Sequence, residues 1–165
     1  MTENTDKNKE KSNIMTLYIG LIISTIFNFV PLASAQVFGS VFFLMILITA
    51  YIYRAKSEED TLQNSHSHYI IKTIWIFSLF LFIGIILAGL FSDNTALQST
   101  IDNAKSGIMM SEAELENILA NYFQNNFLVF ALTIGPSFLY FIYRLYKGVT
   151  HAKNNTPITN LKSWM

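Results

Sequence analysis

The stretch "TIWIFSLFLFIGIILAGLF", Thr73 to Phe91, decides the fold, because none of its residues is Asp, Glu, Lys, Arg or His. A helix that crosses a hydrocarbon layer of about 30 Å needs roughly 17 to 25 predominantly apolar residues. The apolar residues of this stretch do not alternate with polar ones, so a strand of a membrane barrel is excluded. The stretch therefore predicts a transmembrane helix.

Three further apolar runs surround this one, in a chain of 165 residues that is 52% hydrophobic and only 13% charged. Soluble domains contain roughly 25% charged residues. The sequence therefore predicts an all-α integral membrane protein with one domain, residues 14–158. Its four transmembrane helices are expected at about 14–30, 37–53, 69–91 and 127–146.

The two ends of the chain lie outside these runs. Residues 1–13, "MTENTDKNKEKSN", have no large apolar side chain after Met1 and are predicted to form a disordered leader. Residues 159–165 are expected to form a short tail. "PLASAQ", 31–36, leaves an alternative open, since Ala33 and Ala35 resemble a signal-peptidase site and cleavage would remove the first helix. The preceding run of 17 residues is longer than the usual 7 to 15 of a signal peptide, which favours four helices.

The basic residues predict the orientation in the membrane. The leader, the segment between helices two and three and the region after helix four together hold ten Lys or Arg residues, and Lys105 alone lies on the other side. Because basic residues are retained on the cytoplasmic side, both termini are expected to be cytoplasmic.

Two similar segments, "YIYR" at 51–54 and "FIYR" at 141–144, end helices two and four at this same side. Tyrosine rings prefer the headgroup depth, and arginine side chains can extend to lipid phosphates. We therefore expect Arg54 and Arg144 to occupy equivalent interfacial positions.

The outer loop, residues 92–126, is predicted to be helical in part. Ser111 and Glu114 have the spacing of a capping box, and a weaker helix before them is expected to end at Gly107. The segment after Ser111 has one apolar face, which either binds a partner or substrate outside the membrane or rests on the protein's own bundle and the lipid interface; this face consists of Leu115, Ile118, Leu119, Tyr122 and Phe123.

Residue types exclude several kinds of chemistry. There is no cysteine and the formal net charge is zero, so thiolate sites and a nucleic-acid footprint have no support. His66 and His68 are the nearest approach to a metal site, but an exposed loop with two titrating imidazoles is the favoured interpretation. The helices lack the buried ionisable residues that mark ion pathways. We expect no enzyme activity, cofactor, metal or small-molecule substrate.

Helix contacts within the membrane are predicted from small and polar residues. Small residues four apart are expected to allow close helix approach; these pairs are Gly20 with Ser24, Gly84 with Ala88, and Ala131 with Gly135. Asn28 is expected to bond to a neighbouring helix. Gly135 and Pro136 are expected to kink helix four.

Two motifs carry a family resemblance. "NSHSHYIIKTIW", 64–75, and "FIYRLYKGVTHAKNNTPI", 141–158, resemble signatures of a family of small bacterial transmembrane proteins of unknown function. That family is distantly similar to the twenty-kilodalton subunit of the chloroplast inner-envelope protein-import machinery. The resemblance implies a multi-pass protein of the bacterial inner membrane, and its matching residues suggest a cytoplasmic interface formed by Ser65, His66, Lys72, Thr73, Trp75, Tyr143, Arg144, Lys147, Gly148 and Pro157.

Two functions follow as expectations. The first is a non-enzymatic scaffold or assembly partner that works with the lipid bilayer and with a protein partner or a second copy of the chain. The alternative is a small oligomeric pore or a transport or translocation component. An immunity or accessory protein against an envelope-acting toxin is a further possibility that sequence leaves open.

Overall fold

The computed structural model describes residues 2–30, 32–59, 61–107 and 110–158. Within these ranges the regular structure consists of α-helices and no strand is present. The helices are α1 (Thr2–Phe29), α2 (Ala33–Lys56), α3 (Leu62–Phe91), α4 (Thr95–Lys105), α5 (Glu112–Asn125), α6 (Phe127–Thr133) and α7 (Gly135–Lys153). The predicted all-α class is confirmed.

Three of the described helical segments are long and apolar enough to cross a membrane: Asn8–Phe29, α2 and α3. The pair α6 and α7 also qualifies when it is taken as one span, although its two parts are bent by 45°. The molecule is thus a helical membrane protein with three or four candidate spans.

The first helix begins earlier than its apolar run. Residues 2–13 belong to α1, so the expectation of a disordered leader is wrong over that range, while Met1 lies outside the described residues. Lys11 Nζ donates to the Lys153 carbonyl oxygen at 2.9 Å, and Asn13 Nδ2 donates to Gln63 Oε1 at 3.2 Å. Adding residues to a helix that already exists is easy compared with nucleating one, and the two contacts hold the extension at Lys11 and Asn13. The predicted tail 159–165 also lies outside the described residues.

The chain divides into two compact units, of which the first comprises the residues up to Ile76 and those from Phe141 onward. Here α1 packs closely on α2, because Gly39 has no side chain. A Cβ atom at this position would lie 2.9 Å from the Ser24 carbonyl oxygen. Ser40 Oγ donates to Asn28 Oδ1 at 3.0 Å, which confirms that Asn28 bonds to a neighbouring helix.

The second unit comprises Phe77–Tyr140. Gly84 packs against backbone, since a Cβ there would lie 2.5 Å from the Thr133 carbonyl oxygen. The predicted kink is confirmed: α6 ends at Thr133 and α7 begins at Gly135. Pro136 has no N–H to continue the ladder and is well placed in the first turn of a new helix.

The outer loop contains the two predicted helices, α4 and α5. Ser111 begins α5 with the expected capping box, and Gly107 follows α4 with a φ of 74°. The Ser111 backbone N–H and hydroxyl hold the pKa of Glu114 below its usual value. These helix ends can be predicted from sequence because the groups that form them lie within a few residues of one another.

Candidate functional site

Residues from both motifs of the family resemblance meet in the first unit. The start of α3 carries the first motif, and the second motif runs from α7 into the segment 154–158. Five of the ten predicted interface residues are buried here: Ser65, His66, Thr73, Arg144 and Gly148.

Arg144 is the most consequential of these residues, because its side chain is only 2% exposed. Its Nε donates to Thr73 Oγ1 at 3.1 Å, and its Cζ lies 3.8 Å from the centroid of the Tyr69 ring. The Tyr69 hydroxyl in turn donates to the Arg144 carbonyl oxygen at 3.1 Å. An aromatic face and a hydrogen-bond acceptor both stabilise a guanidinium that has left water. We call Tyr69, Thr73 and Arg144 the arginine cluster.

The expectation that Arg144 extends to lipid phosphates or a partner is therefore wrong. Arg54, at the equivalent place in the first "YIYR" segment, is exposed, so the two segments differ in environment despite their similar sequences. Thr73 and Tyr69 lie one turn apart on α3, and Thr73 Oγ1 also donates to the Tyr69 carbonyl oxygen at 2.7 Å. Arg144 contacts both members of this pair, whereas the Arg54 side chain is exposed.

A second contact joins the C-terminal segment to α3. Ser65 Oγ accepts from the Ile158 N–H at 2.7 Å and donates to the Ile158 carbonyl oxygen at 3.2 Å. The chain can return to Ser65 because Asn155, two residues after the end of α7, adopts a left-handed conformation with a φ of 52°. Thr156 N–H donates to the His151 carbonyl oxygen at 3.0 Å, which gives the helix a Schellman-type end.

His66 connects this segment to α1. Its Nε2 lies 3.2 Å from the Thr156 carbonyl oxygen, and its Nδ1 lies 3.0 Å from the Tyr18 hydroxyl. Because a carbonyl oxygen only accepts, we assign the ring proton to Nε2, which leaves Nδ1 to accept from Tyr18 in the neutral form. Both ring nitrogens are therefore engaged within the protein.

The interpretation of "NSHSHY" as an exposed loop is wrong. α3 begins at Leu62, about two turns before the predicted start. Thr61 Oγ1 accepts from the Asn64 N–H at 3.2 Å. Threonine is a favoured residue before the first helical turn. His66 lies inside, and His68 is only partly exposed.

The contact with Tyr18 explains why residue 148 is a glycine. A Cβ atom at residue 148 would overlap the Tyr18 ring and hydroxyl. A glycine is thus required for α7 to approach α1 at the level of the Tyr18–His66 hydrogen bond.

The other five predicted interface residues are at least partly accessible. Lys72 and Lys147 are half-buried, while Tyr143 and Pro157 are exposed. Trp75 is 59% exposed, and its Nε1 donates to the Tyr51 hydroxyl at 2.9 Å. The predicted set therefore separates into a buried group and a surface group.

In the second unit, the predicted outer face is mostly accessible. Tyr122 is buried and donates from its hydroxyl to Asn94 Oδ1 at 3.1 Å, and Ile118 is half-buried. Leu115, Leu119 and Phe123 are exposed. The face contacts its own unit through Tyr122 and through the Phe123 ring, whose centroid lies 5.2 Å from that of Phe130.

Asn126 was missed by the sequence analysis. Its Oδ1 accepts from the Asp93 N–H at 2.7 Å, and its Nδ2 donates to the Asp93 and Tyr122 carbonyl oxygens. Asp93 itself accepts from the Thr95 hydroxyl, and that hydrogen bond lowers the pKa of its carboxyl group. The sequence signal for this role of Asn126 is its position as a polar residue directly before the apolar run that begins at Phe127.

The class that this arrangement defines is a helical membrane protein whose motif residues form an internal polar cluster. Over the described parts of the chain, no three His, Cys, Asp or Glu residues are grouped closely enough to hold a metal ion. No protein-family model, curated protein or solved structure matches this chain.

Replacing Arg144 with Lys tests the arginine cluster. Lysine lacks Nε and the planar guanidinium, so the free energy of unfolding should fall by about 1.5 to 3 kcal/mol, the usual contribution of a hydrogen bond to a charged group. The measurement is a denaturant titration of the purified protein in detergent micelles.

The matched control is Arg54→Lys, because the same substitution at an exposed position should change the stability by less than about 0.5 kcal/mol. Equal effects of the two substitutions would contradict a special role for Arg144.

Proposed function

We propose that this chain is a four-span protein of the bacterial inner membrane with both termini in the cytoplasm. The distribution of Lys and Arg supports this topology, since Lys105 is the only basic residue between α3 and α6. The apolar side chains that cover α2 support it further, because large side chains exposed on a candidate span are suited to contact lipid; they include Val37, Phe38, Val41, Leu44, Met45 and Ile48.

Within that topology we propose a non-enzymatic role as a scaffold or assembly partner. The observation that carries this proposal is the internal use of the motif side chains. Arg144, His66 and Ser65 hold α1, α3, α7 and the segment 154–158 to one another, so these residues build a fixed end of the bundle. A fixed end with accessible residues around it suits a platform for a partner.

The accessible members of the predicted interface are the proposed contact surface. Tyr143 and Lys147 lie one turn apart on α7 and therefore on one face. We further propose that the chain is related to the bacterial transmembrane family that its motifs resemble. The similarity of that family to a protein-import subunit favours assembly of a membrane complex over catalysis.

Substituted-cysteine labelling tests the topology. Because the sequence contains no cysteine, the unsubstituted chain has no thiol to react with the maleimide. Single cysteines in place of Ser57, Asn154 and Ser106 are treated with a membrane-impermeant maleimide in intact cells. We expect only Ser106→Cys to react before the cells are opened. Labelling of Asn154→Cys in intact cells would overturn the cytoplasmic C terminus.

Crosslinking in native membranes followed by mass spectrometry tests the scaffold role. We expect the wild-type chain to form one reproducible set of crosslinks with a membrane protein or with its own copies. The variant Tyr143→Ala/Lys147→Gln should lose most of that set without losing abundance, because it removes an exposed ring and a charge.

The matched control is Tyr146→Ala/Lys153→Gln, which removes the same side chains from other positions on α7 and should leave the crosslinks unchanged. Equal loss in both variants would contradict the proposed surface. Selective ion flux through liposomes that contain only the purified chain would favour a pore instead.

A further inference from the structure

An open cavity of about 600 Å³, lined by both polar and apolar surface, lies between the end of α2 and the start of α3. This volume is within the roughly 300 to 1,000 Å³ of small-ligand sites. Its lining includes the side chains of one basic residue, one acidic residue, one histidine and three neutral polar residues: Arg54, Glu59, His68, Tyr51, Ser57 and Asn64.

The loop that forms this cavity is held in place by hydrogen bonds. Asn64 Nδ2 donates to the carbonyl oxygens of Arg54 and Ser57, each at 3.2 Å. The Ser57 N–H donates to the Tyr53 carbonyl oxygen at 3.1 Å, which closes the last turn of α2. The backbone at Arg54 and Ser57 is therefore held by Asn64.

The cavity carries both signs of charge. Arg54 and Glu59 line the same space, and among the described residues no ion pair joins one to the other. A guanidinium binds a phosphate through two parallel N–H groups, and a carboxylate accepts hydrogen bonds from an ammonium group. A ligand that carries a phosphate and a primary ammonium a few bonds apart matches this arrangement.

The position of the cavity relative to the membrane surface indicates that such a ligand comes from the lipid bilayer. Tyr51 lines the cavity and accepts a hydrogen bond from Trp75 Nε1, and tyrosine and tryptophan concentrate at the membrane–water interface. Ile48 and Leu44 lie about one and two turns before Tyr51 on the same face of α2, and both are exposed. The cavity therefore continues into an apolar helix surface that suits acyl chains.

We propose that this cavity binds the headgroup of an aminophospholipid, with Arg54 on the phosphate and Glu59 on the ammonium of phosphatidylethanolamine. Glu59 disfavours a headgroup with only negative charge, such as phosphatidylglycerol. Phosphatidylcholine keeps the positive charge but has no N–H to donate to the carboxylate. The inference goes beyond the scaffold role and requires only that this end of α2 lies at a membrane surface.

Native mass spectrometry tests the proposal on the full chain in detergent, after incubation with equal amounts of the three phospholipids with identical acyl chains. The wild type should retain phosphatidylethanolamine about two- to fivefold over each of the others, the range that exposed charge pairs contribute. Glu59→Gln should abolish the preference over phosphatidylcholine, and Arg54→Gln should reduce retention of all three lipids.

The matched controls are Glu58→Gln and Lys56→Gln, since these neighbours make the same charge changes at exposed positions outside the cavity lining. They should behave as wild type. Equal retention of the three lipids by the wild type, or the same loss of preference in Glu58→Gln, would overturn the proposal. Retention of inorganic phosphate by the wild type, without retention of phosphatidylethanolamine, would overturn the lipid headgroup in favour of a free phosphate.

Discussion

The burial of the Arg144 guanidinium is the constraint on which the first unit depends. A charged side chain within a membrane helix is costly unless it is paired with suitable groups inside the protein. Thr73 supplies a hydrogen-bond acceptor at 3.1 Å, and the Tyr69 ring supplies a negative face at 3.8 Å. Both lie on α3, so α7 is fixed against α3 in position and in rotation.

The position of α7 against α3 determines which contacts the residues after Arg144 can make. α7 continues past Arg144 to Gly148, where the missing side chain makes room for Tyr18 of α1. The helix then ends at Lys153, and Asn155 turns the chain back so that Ile158 meets Ser65. His66 lies between these contacts and bonds to both Tyr18 and Thr156. The motif residues therefore form one connected set of contacts, which joins α1, α3, α7 and the segment 154–158.

The parts of this structure that were predictable are those with local causes. The candidate spans follow from long runs without charge, and the start of α5 follows from two residues three positions apart. The kink before Pro136 follows from the missing N–H. In each case the deciding atoms are close in sequence.

The environment of Arg144 was not predictable in the same way. Its neighbours "FIYR" resemble "YIYR" around Arg54, yet one arginine is buried and the other is exposed. Part of the difference is the hydrogen bond that Arg144 Nε donates to Thr73, 71 residues earlier in the chain. The burial of His66 likewise depends on the reversal at Asn155, which brings Thr156 back to α3. The polar composition of residues 1–13 gives no sign of the contacts that Lys11 and Asn13 make.

A double-mutant cycle between Thr73 and Arg144 measures the central interaction most directly. The free energies of unfolding of the wild type, Thr73→Val, Arg144→Met and the double variant give the coupling between the two side chains, free of their other contacts. The account predicts a coupling of about 1.5 to 3 kcal/mol, as for a buried hydrogen bond to a charged group. A coupling near zero would contradict it, because Arg144 would then not depend on Thr73 for its place in the fold.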